Sequence, residues 1–159
     1  MPNDCYNIIE HIHHPDPDQI ARLKESLSRE DPVFFAEWLP CPAEESPLSY
    51  WGTKWDVYGA AVDVIAEDTL QMSFYTAWTP PLAAYARLKE KGFTIDAIFM
   101  ESGIDFCGYW RDGMTSTFHN ASHHLETLPT EFHFYFCHED EAEAEDEAED
   151  EAEDEAEDV

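Results

Sequence analysis

Every aromatic side chain of this 159-residue chain lies before residue 138. Five Trp, seven Tyr and ten Phe fall within positions 1–137, and none follows. His138 to Val159 instead hold 15 acids and no Lys or Arg, in a four-residue repeat, Glu-Ala-Glu-Asp, that runs from Glu143 to Asp158. A core is built from buried apolar surface, so only residues 1–137 can fold on their own, as one domain with one core. In the tail, Ala and Glu favour helix, but acids three and four residues apart repel. Residues 138–159 are therefore expected to form a disordered or helical acidic tail.

The first 137 residues read as alternating strand and helix patterns. Cys5 to His13 alternates with a period of two, with Tyr6, Ile8 and Ile12 on one face and Cys5, Asn7, Ile9, His11 and His13 on the other. Asp16 and Pro17 are a helix cap and a first helical residue, and Ile20, Leu23 and Leu27 give a helical stripe, so a helix is expected over 17–29. Pro32, Pro40, Pro42 and Pro47 leave residues 30–53 irregular, yet Phe34, Phe35, Trp38, Leu39, Tyr50 and Trp51 tie that loop to the domain. Two strands, from Trp55 to Ile65 and over Leu70 to Tyr75, form a hairpin about Glu67-Asp68, with Gly59 a bend. Thr79 caps a helix whose buried face is Leu82, Tyr85 and Leu88 and which Gly92 ends. Strands follow over Ile95–Glu101, Ile104–Arg111 and Met114–Phe118, with Asp112-Gly113 a hairpin turn. A loop over 119–130 leads to a last strand from Phe132 to Cys137.

The order β-α-β-β-α-β, then further strands, describes an α+β domain: a ferredoxin-like antiparallel sheet with two helices on one face, extended by extra C-terminal strands. Each helix has one apolar stripe, so both must cover a single sheet face. No apolar run approaches the roughly 20 residues of a membrane span. Met1-Pro2-Asn3-Asp4 lacks the pattern of a signal peptide, so a cytoplasmic protein is expected. Cys5, Cys41, Cys107 and Cys137 form no CxxC pair and are expected to be reduced and buried.

Charge then limits the partners. The chain has 36 acids, eight Lys plus Arg, and a net charge of −28. Setting aside the 15 tail acids leaves 21 against the same eight cations, a formal −13 on residues 1–137. A polyanion is repelled by nucleic acid and by anionic membrane and attracted to basic protein surfaces. Direct nucleic-acid binding is not expected on this ground, because phosphate affinity comes largely from Lys and Arg.

Four motifs fall at element junctions: Trp38-Leu39-Pro40-Cys41-Pro42, Trp51-Gly52-Thr53-Lys54-Trp55-Asp56, Ala77-Trp78-Thr79-Pro80-Pro81, and Glu101-Ser102-Gly103 with Phe106-Cys107-Gly108. Over residues 4–118 this set resembles the Api-type, YubB-like ferredoxin-like proteins carried by phages and plasmids. The resemblance implies a fold and a mobile-element setting, and no catalytic chemistry.

Within the second motif, Trp51 and Trp55 either flank a site with Lys54 and Asp56 or wedge the long loop onto the sheet. Aromatic anchors beside carboxylates suit docking on a basic groove. Trp38, Glu44, Glu45, Trp51, Asp56, Glu101 and Asp105 are the candidate partner-binding residues. The resulting expectation is a non-enzymatic phage or plasmid protein that binds a basic surface on a host protein or nucleoprotein complex. It would inhibit a nucleic-acid-handling defence complex of anti-CRISPR or anti-restriction type, DNA mimicry being one form of this. No cofactor or resident metal is expected. Two alternatives stand beside it. One is a metal-dependent enzyme using His11 and His13 with His119, His123 and His124. The other is a housekeeping domain whose charge serves solubility.

Overall fold

A computed structural model of the chain describes residues 3–121, 125–130, 132 and 133. It divides into two compact units, Met1–His119 and Asn120–Val159.

The first unit is α+β: an open six-stranded antiparallel sheet and four helices. In chain order these are β1 (Asp4–His13), α1 (Pro17–Leu27), α2 (Phe35–Trp38), α3 (Pro47–Trp51), β2 (Tyr58–Ala66), β3 (Thr69–Ala77), α4 (Leu82–Glu90), β4 (Thr94–Glu101), β5 (Phe106–Arg111) and β6 (Met114–His119). The strands lie in the order β2-β3-β1-β4-β5-β6. Helix α1 packs on β2 and β3, and α4 on β4. Their stripes, Ile20, Leu23 and Leu27 on α1 and Ala84, Tyr85 and Leu88 on α4, share one core with Leu70, Met72 and Phe74 of β3 and Ile95 and Ala97 of β4. No described helix is long and apolar enough to cross a membrane.

Local chemistry sets the element ends. The Asp16 carboxylate accepts from the Asp18 amide at 3.0 Å, and Pro17 opens α1 at the position where an amide is not needed. Asp112 and Gly113, both with positive φ (45° and 105°), form the tight turn between β5 and β6.

The sheet departs from simple alternation in β1. Its register shifts between Ile9 and Ile12 against β3 and between Ile9 and His11 against β4. The extra residue resets the parity, so Cys5, Asn7, Ile9 and Ile12 are the buried set and Ile12 leaves the face of Tyr6 and Ile8. The bulge keeps a large apolar side chain in the core and turns out Glu10 and His11, which reach Arg111 (2.5 Å) and Asp96 (2.7 Å).

Several boundaries also move. Residues 30–53 contain two helices of about one turn, α2 and α3, separated by Pro40 and Pro42. Strand β2 starts at Tyr58, because Asp56 is drawn away to the amides at the start of α2. Strand β5 starts at Phe106, because Ser102–Asp105 are used in the turn. Thr79 does not cap α4. Its hydroxyl donates to the Gly52 carbonyl at 2.6 Å, and α4 begins at Leu82, with Pro81 at the N-cap position and no side-chain cap.

In the second unit, Leu125–Thr127 form a 3₁₀ turn. The strand expected from Phe132 is not one: Phe132 and His133 have helical backbone, and the Phe132 amide donates to the Pro129 carbonyl at 3.0 Å. Pro129 starts this turn with its fixed φ. The rest of that stretch, 134–137, lies outside the described residues, as do Cys137 and the tail 138–159.

Candidate partner-binding surface

The second and third motifs meet at the end of the sheet where β1 begins and β3 finishes. Thr79 bonds to Gly52, the Thr53 hydroxyl donates to the Ala77 carbonyl (3.3 Å), and the Trp78 amide donates to the Asn3 carbonyl (2.8 Å). Gly52 has a left-handed backbone (φ 85°), and a Cβ there would stand 3.2 Å from the amide nitrogens of Leu82 and Ala83. Glycine lets the loop lie directly on the start of α4.

The predicted residues divide by role. Trp51 is interior, and its indole N–H donates to the Leu39 carbonyl at 2.8 Å. Trp38 is also buried and packs edge-on to Phe93. Asp56 accepts four amide protons: from Phe34, Phe35 and Val57 on Oδ1 (3.2, 3.0 and 2.8 Å) and from Ala36 on Oδ2 (3.0 Å). Glu101 is buried and accepts from the amides of Gly103 (2.8 Å) and Ile104 (2.6 Å), which shapes the turn. Asp105 is half-buried within that turn, at φ 63°. Of the seven, Glu44 and Glu45 have exposed side chains. Trp51, Asp56 and Glu101 hold loops in place through their hydrogen bonds, so the wedge reading of the second motif describes Trp51 and Asp56.

Two tryptophans that periodicity did not select are displayed instead. Trp55 is 40% exposed and Trp78 45%. Lys54 Nζ lies 5.3 Å from the Trp55 ring centroid. Trp78 has φ 70°, a conformation that costs a bulky residue about 1–3 kcal/mol. The cost is held in place by the Asn3 and Thr79 contacts. The signal for both residues was their membership of motifs made of turn residues. Their exposure follows from the turn geometry, which a period count does not carry. Between this junction and β4–β5 lies a cavity of about 530 Å³, lined by Thr79, Pro80, Leu82, Phe99 and Phe106.

Among the described residues the histidines do not converge. His11 Nε2 meets Asp96 at 2.7 Å, whereas His13 Nδ1 faces Asp68 (3.4 Å) and the Thr69 hydroxyl (3.3 Å). His119 packs against Phe106, and His123 and His124 lie outside the described residues. Among the described residues no three His, Cys, Asp or Glu side chains are placed to share a metal ion. Cys5 and Cys107 are buried free thiols; Cys41 is only half-buried, with its Sγ on the carbonyls of Pro42 and Glu45. Burial pushes the Cys5 thiol up to about 12 and the Cys107 thiol up to about 11. Neither is a thiolate nucleophile near neutral pH.

No family model, curated protein or solved structure matches the chain.

Proposed function

We propose that this chain is a non-enzymatic acidic protein that docks on a basic surface of another protein. The observation that carries the reading is how its cations are used. Arg29, Lys89 and Arg111 are ion-paired with Glu25 and Glu37, with Asp112, and with Glu10. Arg22, Lys54 and Arg87 lie over the rings of Trp38, Trp55 and Tyr50. Six of the eight Lys and Arg are thus engaged by a carboxylate or a ring within the fold, while most of the described carboxylates are exposed. The potential presented to a partner is negative, which speeds encounter with a basic patch and disfavours nucleic acid.

Trp55 and Trp78 supply the apolar anchors that such a contact needs at its centre, with Glu44 and Glu45 as exposed acids. The order β2-β3-β1-β4, with α1 and α4 as the connections on one face, supports a ferredoxin-like arrangement extended by β5 and β6. With the four motifs, it also supports kinship with the Api-type, YubB-like proteins. In that setting the target is a nucleic-acid-handling defence complex of the host.

Affinity capture from a host lysate, with the full-length chain and with a chain ending at Cys137, is the test. Binding of the captured partner is then measured from low salt to ~0.5 M, where screening shortens electrostatic reach to a few ångströms. A loss of at least tenfold is expected, together with a loss in a Trp55→Ala/Trp78→Ala variant. Binding that salt leaves unchanged sinks the proposal.

A further inference from the structure

We infer that the recess between α1, α2 and the α4–β4 turn is a binding site for a small ligand bearing an oxyanion, a phosphate or a carboxylate. The inference does not depend on the docking proposal.

The recess holds about 400 Å³ and is lined by His14, Gln19, Arg22, Glu37, Trp38, Lys91 and Phe93. That volume is within the range of small-molecule sites. Its floor is aromatic and rigid: Phe93 stands edge-on to Trp38 (5.5 Å between ring centroids) and to His14 (4.7 Å). Its rim is cationic, which is unexpected on a body of formal charge −13. Neither Arg22 nor Lys91 forms an ion pair among the described residues. Arg22 lies 4.7 Å from the Trp38 ring centroid. A cation–π contact leaves the guanidinium its charge and its N–H donors. Glu37 is the one carboxylate in the lining, and it is held by Arg29 Nη1 at 3.8 Å. The lining itself thus carries two cations, Arg22 and Lys91, and one carboxylate that is already paired outside it.

His14 fixes the turn that carries Lys91. The Asp16 amide donates to His14 Nδ1 (2.9 Å), so the ring proton sits on Nε2, which donates to the Lys91 carbonyl at 3.2 Å. Gly92 follows with φ 95°, and a Cβ there would stand 3.0 Å from His14 Nε2. The Lys91 backbone is therefore positioned by a side chain from the far end of β1, and Arg22 by the indole of α2. Four separate segments thus meet at a recess whose two cations form no ion pair among the described residues, so an oxyanion entering it finds charge and N–H donors together.

The test is a titration of the full-length chain with sodium phosphate and, separately, with succinate, at constant ionic strength set by chloride. Backbone amide chemical shifts are the readout. Saturable shifts at Gln19, Arg22, Lys91 and Phe93 are expected with one or both probes, and the probe that binds identifies the group. An Arg22→Gln/Lys91→Gln variant should weaken binding at least tenfold. Lys91→Gln alone, which disturbs no ring stack, should weaken it at least threefold with an unchanged melting temperature. The proposal is overturned if neither probe gives saturable shifts by about 10 mM, which excludes a Kd near 1 mM. It is equally overturned if the double variant binds as well as the parent.

Discussion

Asp56 is the residue whose loss the structure makes most costly per atom removed. Its two oxygens accept from four backbone amides, of which those of Phe34 and Phe35 belong to fully buried residues. In Asp56→Ala the Ala36 amide can turn to water. The Phe34 and Phe35 amides cannot, and each buried donor left unpaired costs about 1–3 kcal/mol. The expected loss is therefore about 3–4 kcal/mol, set against the roughly 5–15 kcal/mol total of a typical domain. Asp56→Asn separates acceptor geometry from charge. Its carbonyl oxygen can still serve Phe34, Phe35 and Val57, while its amide nitrogen faces the Ala36 N–H donor to donor, for a loss of about 1–2 kcal/mol. Urea unfolding followed by tryptophan fluorescence should rank the parent first, Asp56→Asn second and Asp56→Ala last, with a common slope. The reasoning fails if Asp56→Ala costs under about 1 kcal/mol, because buried amides would then have found other acceptors. It fails differently if the two variants are equal, which would place the effect in the charge and not in the acceptors.

Gly108→Ala should lower the melting temperature sharply, at a cost above about 3 kcal/mol, because its Cβ would collide with the Ser116 carbonyl oxygen of β6 and the Phe99 ring of β4. A melt unchanged from the parent would mean that the strands can part there without cost. Glu101→Gln should cost about 1–2 kcal/mol by chemical denaturation, since the new amide nitrogen cannot accept from Gly103 or Ile104. The thiols set an alkaline limit: Cys107 and Cys5 are raised, by burial first, from an ordinary 9.0 to about 11 and about 12. Stability from burying the neutral thiols is complete below pH 9 and is lost as pH rises through 11 to 12, when the unfolded chain ionises first. A flat stability profile from pH 8 to 11 in a disulfide-free sample would contradict this. In the native state, Cys41 should react with a thiol reagent well before either buried cysteine.

Much of the fold was legible because it rests on local rules. The Asp16-Pro17 start of α1, the Asp112-Gly113 turn and the strand order by type all follow from residues adjacent in sequence. What was not legible depends on partners far apart in the chain. The bulge in β1 is needed because Ile12 must meet Leu70 and Ile95, neither of which a period count over Cys5–His13 contains. Thr79 has the composition of a cap, but Gly52 offers it a carbonyl from 27 residues away. The roles of two candidate site residues were hidden for the same reason. Acids in loops suggested a docking face, yet Asp56 and Glu101 are acids that the backbone itself requires. A carboxylate serving several amides and one facing solvent are the same letter in a sequence. Phe132 onward alternates as a strand would, but Pro129 and the Phe132 amide close a helical turn first.

The net charge and the cationic recess make compatible demands on a ligand. Long-range repulsion from a body of formal charge −13 grows with each charge the ligand brings, so a polyanion is penalised along its whole length. A single oxyanion is penalised once and is screened beyond about 8 Å at physiological ionic strength. At contact it meets Arg22 and Lys91 over an aromatic floor that keeps bulk water from one side. On the proposed reading, the same charge distribution disfavours a polyanion while leaving room for one phosphate or carboxylate. The recess also draws on Asp56, whose carboxylate fixes the start of the helix that presents Glu37 and Trp38. Asp56→Ala should accordingly weaken anion binding as well as the fold, whereas Lys91→Gln should weaken binding alone. If Asp56→Ala left anion affinity intact at a temperature where the variant is folded, the recess would not depend on that helix, and the stacked Arg22–Trp38 pair would have to be held by α1 alone.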